Sequence, residues 1–317
     1  MPNEYPPTIP EVLHHFARAL ETTVKNNIVF IPPKYGAGYC LGFKFDKHIR
    51  MMILNYTLKQ DIVLKSPDGD ISGKMLLFKL QHIFPGDALQ KRRPIPSVLI
   101  ATRKIEQEIL MPVHTHTATI NIEIDADYLS QILGNDSNSS LIKSLLNNDQ
   151  PYLFEEAVYP KILEVVGEVL KFPEGNTFRS FFLRIKAEEL VCRLLMALEA
   201  RQENQLHALN KADIQAIYLA RERILENLSA PPSLLQLASY TNMSGSKLKN
   251  LFKQIFGKPI YQYYCAHRMQ EAARLLSEEK LSVSATGYKL GFSNLSHFSR
   301  LFEQHIGVKP KKYAMQQ

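Results

Sequence analysis

Two clusters of polar and basic residues, about fifty positions apart, carry side chains able to bond the edges of nucleic-acid bases. In the first, Ser246, Lys247, Lys249, Asn250 and Lys253 interleave with Leu248, Leu251, Phe252 and Ile255. The apolar members recur at steps of three and four residues. On a helix they share one face and leave the polar members on the other. In the second cluster Ser296, His297, Ser299, Arg300 and Gln304 stand outward of Phe298 and Phe302, while Leu295 and Leu301 share the same spacing. A guanidinium can bond guanine O6 and N7 together, which makes Arg300 the best single base reader. Asn250 can do the same to adenine. Lys249, Lys253 and the serines suit phosphate, a contact that positions a protein without reading sequence. The competing reading of each residue is a solvated surface position.

A different chemistry is open to His114-Thr115-His116. On a strand, positions i and i+2 share a face, so both imidazoles could hold one metal. A cupin metal set needs a Glu four or five residues after the second His. Those places hold Ile120 and Asn121, and the carboxylate of Glu123 comes later. The bland alternative is a pair of surface or rim histidines. His14-His15, adjacent on a helix, point in different directions and read as surface residues.

The elements that must position the two clusters repeat. Each cluster lies on a helix preceded by a shorter helix and a tight turn, the layout in which a second helix can lie in a DNA major groove. Ser233 is a suitable N-cap for a helix over 234–240. Thr241-Asn242-Met243 forms the first turn, with Asn242 able to turn left-handed, and Ser244 caps the next helix. Gly291 is the second turn's hinge residue, and Phe292 plugs the core behind it. A connecting helix over 260–276 would fix the separation of the two outward faces near one turn of DNA, about 34 Å. Asp213 can cap a preceding helix that runs to 228.

Upstream, residues 27–84 break into short β-branched and aromatic runs at 28–31, 38–45, 49–58 and 75–83, with Ser66-Pro67-Asp68-Gly69-Asp70 as a turn signal. Further strands are expected at 98–103, 106–111 and 117–124. Short strands at this pace suggest an antiparallel barrel or sandwich, a fold able to hold a small ligand. Helices are expected at 11–23, 126–133, 141–147, 155–170 and 177–208, with 134–140 as a loop. The apolar stripe of the 177–208 helix fits either internal packing or a contact between subunits. The fold class is therefore α+β, with a β-rich domain at 1–135, a helical linker or dimerisation region at 136–210 and an all-α domain at 211–317.

Charge follows the same division. Residues 211–317 hold 15 Lys+Arg against 7 Asp+Glu, a net of +8, and the remainder nets −1. A basic module beside a near-neutral one suits a nucleic-acid-binding part joined to a sensing part. Cys40, Cys192 and Cys265 are far apart and odd in number, without zinc-site spacing, so neither a disulfide framework nor a structural zinc site is indicated. The first ten residues lack a signal-peptide pattern and no apolar run approaches a membrane span, which points to a reducing cytoplasm.

The last hundred residues resemble the AraC/XylS family of transcriptional regulators. The resemblance is carried by Gly257-Lys258-Pro259, Tyr263, Arg268, Ala272, Leu275-Leu276, Tyr288-Lys289-Leu290-Gly291-Phe292-Ser293, His297-Phe298-Ser299-Arg300-Leu301-Phe302, Gly307, Pro310 and Tyr313. It implies a seven-helix DNA-binding domain with two helix-turn-helix motifs, and promoter binding near RNA polymerase, usually as an activator. It implies base-reading positions at Ser246, Lys249 and Asn250, then at Leu295, Ser296, Ser299 and Arg300. It also implies a ligand-sensing, dimerising β-barrel, cupin-like, in the first part of the chain. Two positions depart from the pattern. Gly287 replaces a usual alanine, which should loosen its helix. Leu295 replaces a usual polar reader and would suit a thymine methyl, with Asn294 and Ser296 beside it to share the role.

The expected function is a sequence-specific DNA-binding regulator, not an enzyme, that answers to a small effector, needs no metal or organic cofactor, and can form a homodimer. The rivals are a metal-dependent cupin-type enzyme using His114 and His116, and an architectural DNA binder that bends DNA without base preference.

Overall fold

The computed structural model describes residues 9–59, 74–84, 96–102, 116–134, 139–201 and 206–315. The turn at 66–70, the strand at 106–111, His114 with Thr115, and loop residues 135–138 lie outside them. The chain divides into two compact units, Met1–Lys211 and Ala212–Gln317.

In the first unit, helix α1 (Glu11–Ala19) precedes strands β1 (Ile28–Phe30), β2 (Gly36–Lys44), β3 (Ile49–Leu58), β4 (Met75–Gln81), β5 (Ser97–Thr102) and β6 (Thr117–Asp125). Helices α2 (Ala126–Leu133) and α3 (Ser140–Asn147), strand β7 (Leu153–Ala157), and helices α4 (Pro160–Lys171) and α5 (Arg179–Glu199) follow. The seven strands form one antiparallel sheet in the order β1-β2-β3-β6-β4-β5-β7. The β2–β3 hairpin pairs Lys44 with Arg50 next to its loop, where Asp46 Oδ1 accepts from the His48 and Ile49 amides at 2.7 and 3.0 Å.

Strand alternation sends side chains to two cores. Met51, Ile53, Phe78, Leu80, Val98, Ile100, Ile120 and Ile122 face the helices α2 to α5. Cys40, Met52 and Leu54 face the other way, onto Leu13, Phe16 and Leu20 in and just after α1. Helices, not further strands, thus cover these parts of both faces. Among the described residues no pairing joins β1 to β7, so the β-rich domain expected from the strand spacing is present as an antiparallel sheet, without the closure of the cupin-like barrel that the resemblance implied.

Two segments differ from the sequence reading for local reasons. The helix expected at 155–170 is a strand followed by a helix. Leu153–Ala157 pairs with β5, and Pro160, which has no amide hydrogen to lose, opens α4. The helix expected to reach 208 ends at Glu199. Arg201 bonds back to Glu156 and to the Glu155 carbonyl, and the Leu209 amide donates to Pro151 at 2.9 Å.

The second unit contains α6 (Lys211–Glu226), α7 (Leu234–Thr241), α8 (Gly245–Phe256), α9 (Ile260–Ser277), α10 (Val283–Lys289), α11 (Leu295–Ile306) and α12 (Pro310–Met315). These are seven helices among the described residues. Helix α9 is the shared support. The Tyr264 hydroxyl donates to the Leu228 carbonyl at 2.7 Å, just past α6. Four residues on, the buried Arg268 donates from Nε to the Leu290 carbonyl at 2.9 Å, and from Nη2 to the same oxygen. Its guanidinium lies 3.6 Å from the Phe292 ring centroid. One helix therefore pins both the end of α6 and the turn after α10.

Candidate nucleic-acid interface

The first helix pair is α7 and α8. Ser233 opens α7 with a reciprocal capping box to Gln236. The turn holds Asn242 at φ 56°, a left-handed conformation that Asn tolerates better than most residues. Ser244 then accepts from the Lys247 amide and starts α8. The buried side of α8 is Leu248, Leu251, Phe252 and Ile255. Ser246, Lys249, Asn250 and Lys253 stand exposed on the side away from that core. Lys247 is also exposed, but its ammonium meets the Asp213 carboxylate at 2.6 Å. Asp213 is buried in the first turn of α6, so it anchors α8 instead of capping α6 from outside. Lys249, Asn250 and Lys253 make no side-chain hydrogen bond or ion pair among the described residues.

The second pair is α10 and α11. Gly291 has φ 78°, and a Cβ there would lie 2.4 Å from the Ser229 carbonyl oxygen. The turn thus needs glycine both for its dihedral and for the close approach. Phe292, Phe298 and Phe302 are buried behind it, with the Phe292 and Phe298 centroids 5.2 Å apart. Ser296, His297, Arg300 and Gln304 are exposed, and Ser299 is partly so. The Arg300 guanidinium has no partner among the described residues.

Two expected site residues hold other places. Asn294 is the N-cap of α11, its Oδ1 accepting from the His297 amide at 3.0 Å, so that oxygen is engaged within the chain. Leu295 is half-buried. Its Cδ2 sits 2.6 Å from where a Cβ on Gly287 would be. The side chain leans onto α10, filling the space that the missing methyl leaves. The two departures from the family pattern are one packing arrangement.

The residues weighed for metal chemistry are not assembled among the described residues. His116 is exposed with Nε2 2.9 Å from the Asn55 amide oxygen. No group of three His, Cys, Asp or Glu side chains with metal-site geometry occurs among the described residues. No helix among them is long and apolar enough to cross a membrane.

Arg268, the residue that fixes the second turn, is missing from a search for outward polar side chains because it is buried. Its sequence signals are its place among the residues that carry the family resemblance and its position as a lone arginine on the apolar side of α9, beside Met269 and Ala272.

Comparison with known proteins places this arrangement. A family described as a helix-turn-helix domain matches residues 237–316, the span holding both helix pairs. The arabinose operon regulatory protein of Escherichia coli (strain K12) is 23% identical over 159 residues, 50% of this chain and 53% of that protein. Residues 237–316 are thus similar to the DNA-binding part of AraC-family transcriptional regulators. The HTH-type transcriptional regulator ArgR of Pseudomonas aeruginosa is 28% identical over 130 residues, 40% of this chain and 38% of that protein. The matches thus span about half, or less, of these AraC-family relatives. A crystal structure from Chromobacterium violaceum, described as a transcriptional regulator with an AraC-type DNA-binding domain, is 29% identical. It covers 34% of this chain and 96% of its own, with a TM-score of 0.32.

Proposed function

We propose that this protein is a cytoplasmic, sequence-specific DNA-binding transcription regulator, acting as an activator beside RNA polymerase. In this reading the two helix pairs are helix-turn-helix motifs, and α8 and α11 enter successive major-groove segments of one duplex. Residues 211–317 read DNA, residues 1–135 sense a small effector, and residues 136–210 link and dimerise.

The observation that carries the reading is the set of unpaired side chains on the outer faces of two capped helices, both tied to α9. Lys249, Asn250 and Lys253 project from α8 and Arg300 from α11, with Ser246, Ser296 and Ser299 beside them. Unpaired donors at such places are ready to bond phosphate and base edges. Asn294 and Leu295 then serve by shaping the start of α11, not by reading bases.

A binding-site selection with the wild-type chain, repeated with Arg300→Ala, tests the reading. The substitution should relax preference at one or two base pairs, by about 1–3 kcal/mol for a lost bidentate contact. Equal weakening on every sequence would make Arg300 a phosphate contact. A wild-type chain with no base preference would be an architectural binder, and one that binds no duplex would end the proposal.

The partner that suits the first unit is a second copy of the chain. Phe178, Phe181, Ile185, Cys192 and Met196 are exposed on one side of α5 and its N-cap, interrupted by Glu189, which pairs with Arg193 and Lys186, opposite the buried Leu183, Ala187, Leu190 and Leu194. A mostly apolar helix face with a charged pair within it suits docking against its own symmetry mate.

A further inference from the structure

Next to the outer face of α8, the second unit opens a cleft of about 520 Å³. Leu234, Leu237, Ile260 and Tyr261 contribute to its apolar lining, and Lys249 and Lys253 line it as well. This volume is in the range of small-molecule sites, which are mostly apolar with a few placed polar groups. The two lysines are one helical turn apart, exposed, and without an ion pair or hydrogen bond among the described residues. No Asp or Glu lines the cleft. The local field is therefore positive beside an apolar surface.

We propose that this cleft binds an organic carboxylate with an apolar body. The carboxylate meets Lys249 and Lys253, and the body covers Leu234, Leu237, Ile260 and Tyr261. A neutral apolar molecule would leave both ammonium groups unused, and a cation would be repelled by them. The occupied cleft engages two side chains assigned above to phosphate, so the ligand and a duplex compete. This competition rests on the proposed DNA-binding role; the binding of the carboxylate does not.

The test uses the full chain and three matched probes: 4-butylbenzoate, 4-butylbenzamide and 4-butylbenzylamine. Direct binding is measured without DNA by ligand-observed NMR titration. The benzoate should bind at least about fivefold more tightly than the amide, the size of one favourable exposed charge pair. The amine should bind more weakly than either. Lys249→Gln with Lys253→Gln should remove the benzoate's advantage. Ile260→Trp should fill the cleft and abolish binding, with Leu234→Trp as a second filling variant if the first does not fold. Equal binding of the three probes, or unchanged binding in a folded filling variant, would overturn the proposal.

In a second arm, a 40-base-pair duplex is titrated at low salt with and without the benzoate. Saturating benzoate should weaken duplex binding by the wild-type chain, and Ile260→Trp should bind duplex while ignoring the benzoate. Duplex affinity indifferent to a bound benzoate would overturn the competition. Benzoate binding by a chain that binds no duplex would leave the site standing and remove the DNA-reading role instead.

Discussion

Gly287 and Leu295 show how far one side chain can be read without its neighbour. Each taken alone suggests a defect: a glycine inside a helix, and a leucine where a polar reader is common. Together they are a fit, because Leu295 Cδ2 lies 2.6 Å and Phe298 Cδ1 3.3 Å from the Cβ that Gly287 lacks. Gly287→Ala gains about 1 kcal/mol of helix propensity but overpacks the site, which costs about 1–3 kcal/mol. Alone, it should lower the urea midpoint. In a Leu295→Ala background the closest obstruction is gone and only the 3.3 Å contact with Phe298 remains, so the same change should raise the midpoint. Urea unfolding of the four chains gives a coupling energy, expected to favour the double variant by about 1 kcal/mol or more. Additive effects would show that the two residues do not share one space. The spacing of apolar residues in α11 identifies Phe298 and Phe302 as inward, but it leaves Leu295 at the border. Only the contact with α10 decides which way that side chain turns.

Helix α9 does for the second unit what no single turn could do alone. Its Tyr264 and Arg268 hold the Leu228 and Leu290 carbonyls on successive turns, which sets the end of α6 and the turn of the second helix pair against one support. Arg268→Met keeps the stem's bulk but leaves the buried Leu290 carbonyl without its donors and removes the cation from the Phe292 ring. The expected loss is about 2–4 kcal/mol, and hydrogen exchange at residues 286–293 should quicken more than at 237–244. Uniform quickening of both pairs would show that Arg268 supports the whole unit, not one turn. The same helix carries a proton-sensitive group. Burial, and then the charges of Arg221 and Lys258, lower the pKa of His267 from 6.5 to about 4, and its ring lies 4.3 Å from that of Tyr263. The unfolded chain takes up this proton near pH 6.5 and the folded chain only near 4. The folded unit therefore loses stability as pH falls through that window and is indifferent to this group above it. Unfolding midpoints at pH 7.5, 5.5 and 4.5 should fall less steeply in His267→Phe, which keeps a ring against Tyr263. Equal slopes would mean that His267 takes up its proton at the same pH in the folded and the unfolded chain. Element identity was legible wherever caps and period agree, as at Ser233, Asn242, Ser244 and Gly291. It was not legible at Leu153–Ala157, where a short run without alternation becomes a strand only because β5 offers it an edge.

At the scale of the molecule, α5 has two apolar sides and the sequence could not say which is which. The buried side, with Leu183, Ala187, Leu190 and Leu194, completes the core beneath the sheet. The other side leaves Phe178 69% and Phe181 65% exposed, with Ile185 and Met196 continuing the line. Both readings of the stripe therefore have residues to support them, and they concern different residues of one helix. If the open side is the proposed seam between two copies, Phe181→Glu places a charge at its centre without touching the core. Sedimentation should then show the wild-type chain as a dimer and the variant as a monomer with an unchanged unfolding midpoint. The variant should also bind a single half-site much as the wild type does, but lose the avidity gained on paired half-sites, because each duplex contact must then be made independently. A wild-type chain that sediments as a monomer at micromolar concentration would assign the open side of α5 to another partner, and the avidity loss would disappear with it.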